Sequence, residues 1–341
     1  MKLNSITAGL AIIGFISASN ISQAFADDIA DPAGCTVMGL VEGGGLYNGQ
    51  DSDVSLGGPQ IAAKSNWKSG IGEGALGFSC NNWNVQADAA LYGSWASITL
   101  VPPPTDFNLK DIRGHIGGAA FWRDPQSLAL GVSGSWISQN YDISSSPAVP
   151  PFSGSGTGNV WRIGAFAEFY ASDYLTLGAS AHYFNGSLAN GGVIGGVQLD
   201  QFGFEFAAIA KLYPTDNLSL TARADALRGT FRVANTANDE FNGYALSLEG
   251  EYLIPESQFS IFAGGRYADR LITILAPVHM DFQDTQIYAG VKFAFGGAAP
   301  TSIAARDRSK TYDNTSVFLE KLPSISGSIH NTFLNAIAAG P

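Results

Sequence analysis

Three features of this 341-residue chain together predict an all-β fold, a closed antiparallel transmembrane β-barrel of twelve strands. The first is the stretch Trp83-Asn-Val-Gln-Ala-Asp-Ala-Ala-Leu-Tyr-Gly-Ser-Trp95. Successive side chains of a strand point to opposite faces. Its odd positions (Trp83, Val85, Ala87, Ala89, Leu91, Gly93, Trp95) make an apolar face bounded by tryptophan at both ends, and the even ones carry Asn84, Gln86, Asp88 and Ser94. Roughly twelve steps of about 3.3 Å, tilted by about 40°, span on the order of 30 Å, which is the height of a lipid-facing band with its aromatic girdles. The second feature is the recurrence of this pattern along the chain. The third is composition: charged residues are only 14% of the chain, too few to cover an ordinary water-facing surface, while aromatics at 11% argue against disorder.

The N-terminus reads as an export signal. Lys2 precedes an apolar run over 8–18 and then Ala24-Phe25-Ala26, so residues 1–26 are expected to be a signal peptide cleaved before Asp27. Residues 27–34 form an acidic leader, 35–295 the barrel and 296–341 a C-terminal tail. Nothing after residue 26 offers 18 or more consecutive apolar residues, so a membrane-spanning helix is not expected. The mature chain keeps 17 basic and 29 acidic residues, a net charge of −12, and has no basic run; nucleic acid is therefore not an expected partner.

The strands follow in order. Residues 36–47 alternate weakly and are rich in Gly. Residues 67–80 lead through a turn at Asn81-Asn82 into 83–97, and Pro102 to Pro104 then interrupt the ladder, since Pro has no N–H to donate. Residues 109–122 put Ile112, Ile116, Ala120 and Trp122 on one face against Asp111, Arg113 and His115. The turn 123–126 leads to 128–141, where Leu128, Leu130, Val132 and Trp136 alternate, and 144–158 is a loop by its Ser, Pro and Gly. In 160–170, Trp161, Ile163 and Phe169 oppose Arg162 and Glu168; in 174–184, Leu175, Leu177 and Tyr183 oppose Thr176, Ser180 and His182. A Gly-rich loop over 185–198 precedes 199–212, which carries Phe202, Phe204 and Phe206. The turn Pro214-Thr-Asp-Asn217 leads to 218–231, and a loop over 233–240 to 241–254. A turn at 255–257 leads to 259–267, and a last loop to 285–295. Connections alternate short and long. That is the pattern of an even-stranded barrel with short turns at one end and longer loops at the other.

On this assignment the charges sort by face. The acids Glu42, Glu73, Asp88, Asp111, Glu168, Glu205, Asp225, Glu249 and Glu251, and the bases Arg113, Arg162, Lys211, Arg223, Arg266 and Lys292, all lie opposite the aromatic face. Lys68, Lys110 and Arg228 share the apolar face, but only near loop ends. A lipid-facing Arg or Lys at mid-depth costs about 2–4 kcal/mol, which drives this sorting. The two cysteines, Cys35 and Cys80, suit an oxidising route and are expected to pair at the periplasmic, open end of the first hairpin. Direct pairing sets a register in which partner numbers sum to 115. Glu42 then faces Glu73 across the lumen side, with the pKa of one of them raised unless a base intervenes.

The signal, the repeated aromatic-flanked strands and the final Ile287-x-Ala-x-Val-x-Phe-x-Phe295 resemble Gram-negative bacterial outer-membrane β-barrel proteins, porin-like in the broad sense, over about 35–295. The resemblance implies outer-membrane lipid, the barrel-assembly machinery and small hydrophilic solutes or ions as partners, and it is compatible with a homo-oligomer. Such chains usually end at the last Phe, whereas here 46 residues follow. Within them, 316–322 and 329–339 are candidate amphipathic helices, and the tail has three candidate places: the periplasm, the lumen as a plug, or a disordered segment.

No cofactor, metal site or catalysis is expected. None of His115, His182, His279 and His330 is followed by a Ser two residues later, no ligand cluster has zinc or calcium spacing, and the Gly runs at 43–45 and 191–192 lack the Lys-Ser/Thr of a phosphate loop. Ser and His from different strands could still meet. The sequence therefore points to a passive diffusion channel, weakly cation-preferring because inward acids outnumber bases nine to six. The alternatives are a closed barrel with a structural, adhesion or surface-antigen role and, third, a lipid-modifying enzyme.

Overall fold

The computed structural model describes residues 35–55, 60–101, 105–145, 153–190, 198–233, 238–274, 278–296 and 301–309. They form twelve strands: β1 (Cys35–Ser55), β2 (Gln60–Cys80), β3 (Trp83–Val101), β4 (Thr105–Asp124), β5 (Leu128–Ser145), β6 (Ser153–Ser172), β7 (Leu175–Asn190), β8 (Gln198–Thr215), β9 (Leu218–Val233), β10 (Asn238–Leu253), β11 (Phe259–Ile274) and β12 (Val278–Phe295). A short helix, α1 (Ile303–Ser309), follows. Each strand pairs antiparallel with its sequence neighbours, and β1 pairs with β12, so the sheet closes and leaves no edge. The signal, the leader, the loop tips and the two tail helices expected at 316–322 and 329–339 lie outside the described residues.

Tight turns dictate this meander. Asn81 sits at φ 54° in the two-residue β2–β3 turn, a left-handed conformation that Asn tolerates better than most residues. At the β4–β5 turn Asp124 accepts from the Ser127 hydroxyl at 2.6 Å and from the Gln126 N–H at 3.1 Å. β12 ends for a different reason. Gly296 has φ 83°, and a Cβ there would meet the Val37 carbonyl, so the chain leaves the ladder at that point.

The strands run 16 to 21 residues, longer than alternation alone predicts. Their turn-side ends fall within a few residues of the expected ones. The other ends extend: β1 to Ser55 rather than 47, and β12 from Val278 rather than 285. The expected loops at 144–158, 185–198 and 233–240 are correspondingly strand at their margins, over 144–145, 153–158, 185–190 and 238–240. Beyond a lipid belt both faces of a strand meet water, so alternation fades while the backbone ladder continues. Strand extension therefore takes up part of the longer connections expected at that end.

Outside, large apolar side chains are exposed as a belt: Trp83 is 67% exposed, Leu91 65%, Leu248 63% and Ile287 62%. Monomers surrounded by water do not carry a continuous apolar patch of this extent, and a lipid-facing barrel must. On the outward face Cys35 and Cys80 form a disulfide with Cα atoms 4.2 Å apart, and in the same register Glu42 faces Glu73 on the inward one. The bond closes a separation of 45 residues across the first hairpin, beside the β1–β12 seam. Its loss is expected to cost about 2–4 kcal/mol. Cys35→Ser or Cys80→Ser should therefore lower the temperature at which the protein loses its compact mobility in SDS, and two free thiols in the unreduced native protein would contradict this assignment.

Candidate functional site: the charged inner face and the helix at its turn end

All thirteen residues proposed from the sequence to line a pore (Glu42, Glu73, Asp88, Asp111, Arg113, Arg162, Glu168, Glu205, Arg223, Asp225, Glu249, Arg266 and Lys292) point inward, as do Lys211 and Glu251. Lys68, Lys110 and Arg228 point outward. Alternation places them so: each inward charge except Asp111, which adjoins Lys110, is flanked by outward apolar or small residues, as Asp88 is by Ala87 and Ala89.

Halfway down the barrel the inner face is a set of matched pairs. Arg113 Nε donates to Asp111 Oδ2 at 2.6 Å, and Gln139 donates to the other Asp111 oxygen at 2.9 Å. Arg223 meets Asp225 at 2.7 Å, Arg162 meets Glu205 at 3.5 Å, and His115 Nδ1 lies 3.2 Å from Asp88 Oδ2. Three inward charges were missed. Arg123 was read as a turn residue, yet it is buried, donates to Glu168 at 3.1 Å and lies over the Phe121 ring at 4.9 Å. Arg270 and Asp284 pair in the outer halves of β11 and β12, beyond the expected strand ends. Counting these and the buried Arg306 and Asp307 of α1, inward acids outnumber bases by eleven to nine among the described residues, a narrower margin than nine to six.

Aromatic side chains share this interior, which the assignment of aromatics to the outer face did not anticipate. Phe121 and Phe166 meet edge-on at 5.9 Å; Phe184, Phe231 and Phe241 form a chain of contacts at 6.1 and 6.3 Å near the outer end. Phe121 adjoins Trp122, and only one of two adjacent aromatics can face outward. Phe231 and Phe241 stood at expected strand boundaries, where parity has little leverage.

At the turn end a network of charges joins α1 to the barrel. Ser302 caps the helix by accepting from the Ala305 N–H at 3.0 Å, and Ile303, fully buried, packs against Tyr213 and Leu253. Arg306 Nη1 donates to Glu251 Oε1 at 2.6 Å and to Ser260 Oγ at 3.2 Å. Asp307 holds Lys211 at 2.5 Å and accepts from the Tyr213 hydroxyl at 3.3 Å. Lys292 lies 3.3 Å from Glu251 and 3.7 Å from Glu42. Lys292 is thus the intervening base on which the Glu42–Glu73 expectation depended. Arg308 donates to the Ser172 carbonyl at 2.5 Å and covers the Tyr170 and Tyr213 rings. Burial alone would push the Arg306 guanidinium down, but the Glu251 and Asp307 carboxylates outweigh it and hold the group above its ordinary range.

Ser133 and His182 do meet across strands, with Oγ and Nε2 at 2.9 Å. Among the described residues no carboxylate hydrogen-bonds the other ring nitrogen of His182, and its charged neighbours are Arg162, Arg223 and its register partner Glu205. The pair faces the interior, away from the lipid-facing wall. A nucleophile–base distance is present, but the orienting acid of a hydrolase triad is not.

No protein-family model and no curated protein matches the chain. Solved structures do share its fold. An outer-membrane channel of Pseudomonas putida F1 is similar at a TM-score of 0.51 and 10% identity, over 79% of this chain and 98% of that one. The transport unit of the autotransporter AIDA-I from Escherichia coli is similar at 0.50 and 10% identity, over 82% and 97%. The fold is that of the outer-membrane β-barrels.

Proposed function

We propose that this chain is a bacterial outer-membrane channel for small hydrophilic solutes, shut in the state described here by its own polar filling and by α1. The observation that carries the reading is the inner face, where charges are paired laterally within the wall and, at the turn end, to a separate segment whose Arg306 and Asp307 complement Glu251 and Lys211. Charges shared with a segment outside the ladder can be exchanged for water without breaking a strand pair. The barrel catalyses nothing on this reading, and Ser133 and His182 act as a polar brace. A second reading, a closed barrel with a structural or adhesive role, draws on its own observation: inner-face chains such as Glu251, Arg123 and Lys292 are each 1% exposed.

Planar-bilayer recording separates the two. The channel reading expects infrequent discrete steps from the intact protein, and a reversal potential in a KCl gradient that shows only weak cation preference, since eleven acids face nine bases. Glu42→Gln with Glu73→Gln should diminish that preference. An anion-selective reversal potential would show the lumen to be misassigned, and silence from every folded variant would leave the closed barrel standing.

A further inference from the structure

The outer wall carries a second polar feature, apart from the lumen. Tyr47, Lys68, Trp95, Lys110, Asp142 and Ser155 are successive register partners across β1 to β6 and all point outward, so they form one row that climbs around the wall with the strand tilt. Its Trp95 lies at the far edge of the apolar belt, about 30 Å from the girdle that contains Trp83. The next outward row away from the turns is polar: Asn66, Ser97, Asn108, Ser144 and Ser153 are again successive register partners. The two rows line a concavity of about 1000 Å³ that takes in Lys68, Trp95, Lys110 and Asp142.

The two lysines are distinctive by their pairing. Other outward bases on the strands meet acids, Lys64 with Asp51 at 3.8 Å and Arg228 with Glu240 at 3.9 Å. Neither Lys68 nor Lys110 forms an ion pair within 4.0 Å among the described residues, although Asp142 is the register partner of Lys110. They stand on either side of Trp95, two strands or about 10 Å apart. At this depth the neighbouring molecules are lipids, and long basic side chains at the belt edge reach for headgroups.

We propose that this concavity binds one lipid whose headgroup carries two phosphate groups, Lys68 and Lys110 each taking one phosphate and Trp95 packing between them. The acyl chains run from there towards the turns over the exposed apolar belt, past Leu91 and Ile112. The inference rests on the membrane location proposed above but not on conduction.

Native mass spectrometry of the detergent-released full chain tests it with three probes: a bis-phosphorylated glucosamine disaccharide lipid, its mono-phosphorylated form, and phosphatidylcholine. The first should be retained most tightly and the last least. Lys68→Gln or Lys110→Gln should each weaken the bis-phosphorylated lipid about fivefold, and both together about 30-fold. Lys64→Gln, whose lysine is paired higher on the wall, should bind as the native chain does, and Asp142→Asn should bind more tightly. Heat-dependent mobility in SDS verifies that each variant is folded. Equal binding by the double variant, or phosphatidylcholine binding as well as the phosphorylated lipids, would overturn the proposal. A loss of lipid binding with bilayer conductance unchanged would uphold it and leave the channel reading untouched.

Discussion

Replacing Arg306 with alanine should open the barrel. The guanidinium is the single group that meets Glu251, Ser260 and Asp307 together, and its removal takes from buried Glu251 its closest cation and leaves Lys211 as the base on Asp307. Breaking a buried pair from one side costs about 3–5 kcal/mol. The barrel has a cheaper escape than unfolding. α1 has seven residues, too few to hold helical structure without its contacts, so the cost is relieved when the helix leaves the mouth and water reaches Glu251. The detached population should rise by about two to three orders of magnitude. Two measurements report it: trypsin should cleave near Arg308 in the variant far faster than in the native protein, and bilayer steps should become frequent. Arg306→Lys, which keeps the charge but loses the two-pronged geometry, should fall between. A variant as silent and as protease-resistant as the native chain would show that Ile303 and Arg308 alone hold the helix, and that the charge network is not the latch.

Much of this architecture was legible in the residues, and the parts that were not share a cause. The turn residues Asn81-Asn82 and 214–217 located one end of every hairpin they close, and a single disulfide, once paired, propagates its register through β1 and β2 because an antiparallel ladder has one free parameter. The inward charges were readable wherever lipid lies behind the strand, since lipid enforces alternation. Where it stops, the signal stops: Arg270 and Asp284 sit in strand segments that water reaches from both sides, and Arg123 stands at a strand end beside Pro125. α1 was invisible for a different reason. Ile303-Ala-Ala-Arg-Asp-Arg-Ser is too short for helical periodicity, and its charges make sense only opposite Glu251 and Lys211, residues 50 to 100 positions away.

The largest loss of stability is expected at the seam where the ends of the sheet meet. Lys292 on β12 stands between Glu42 on β1 and Glu251 on β10, with the Phe262 ring 5.8 Å from its ammonium. Glu42 also faces Glu73 across the first hairpin, so Lys292→Ala removes the base from among three inward carboxylates. Arg306 and Lys211 still hold Glu251, which confines the damage to the β1 side. The loss should be about 3–5 kcal/mol, and β1–β12 pairing should be the part that suffers, because Glu42 and Lys292 are direct register partners there. The compact SDS-resistant form should then melt at markedly lower temperature. Adding Glu42→Gln should restore most of the stability, since a neutral amide no longer needs the base, whereas Glu42→Gln alone should cost less than Lys292→Ala alone. A cycle in which the two substitutions are simply additive would show that the 3.7 Å contact carries no energy and that closure of the barrel depends on the backbone ladder and the Cys35–Cys80 bond instead.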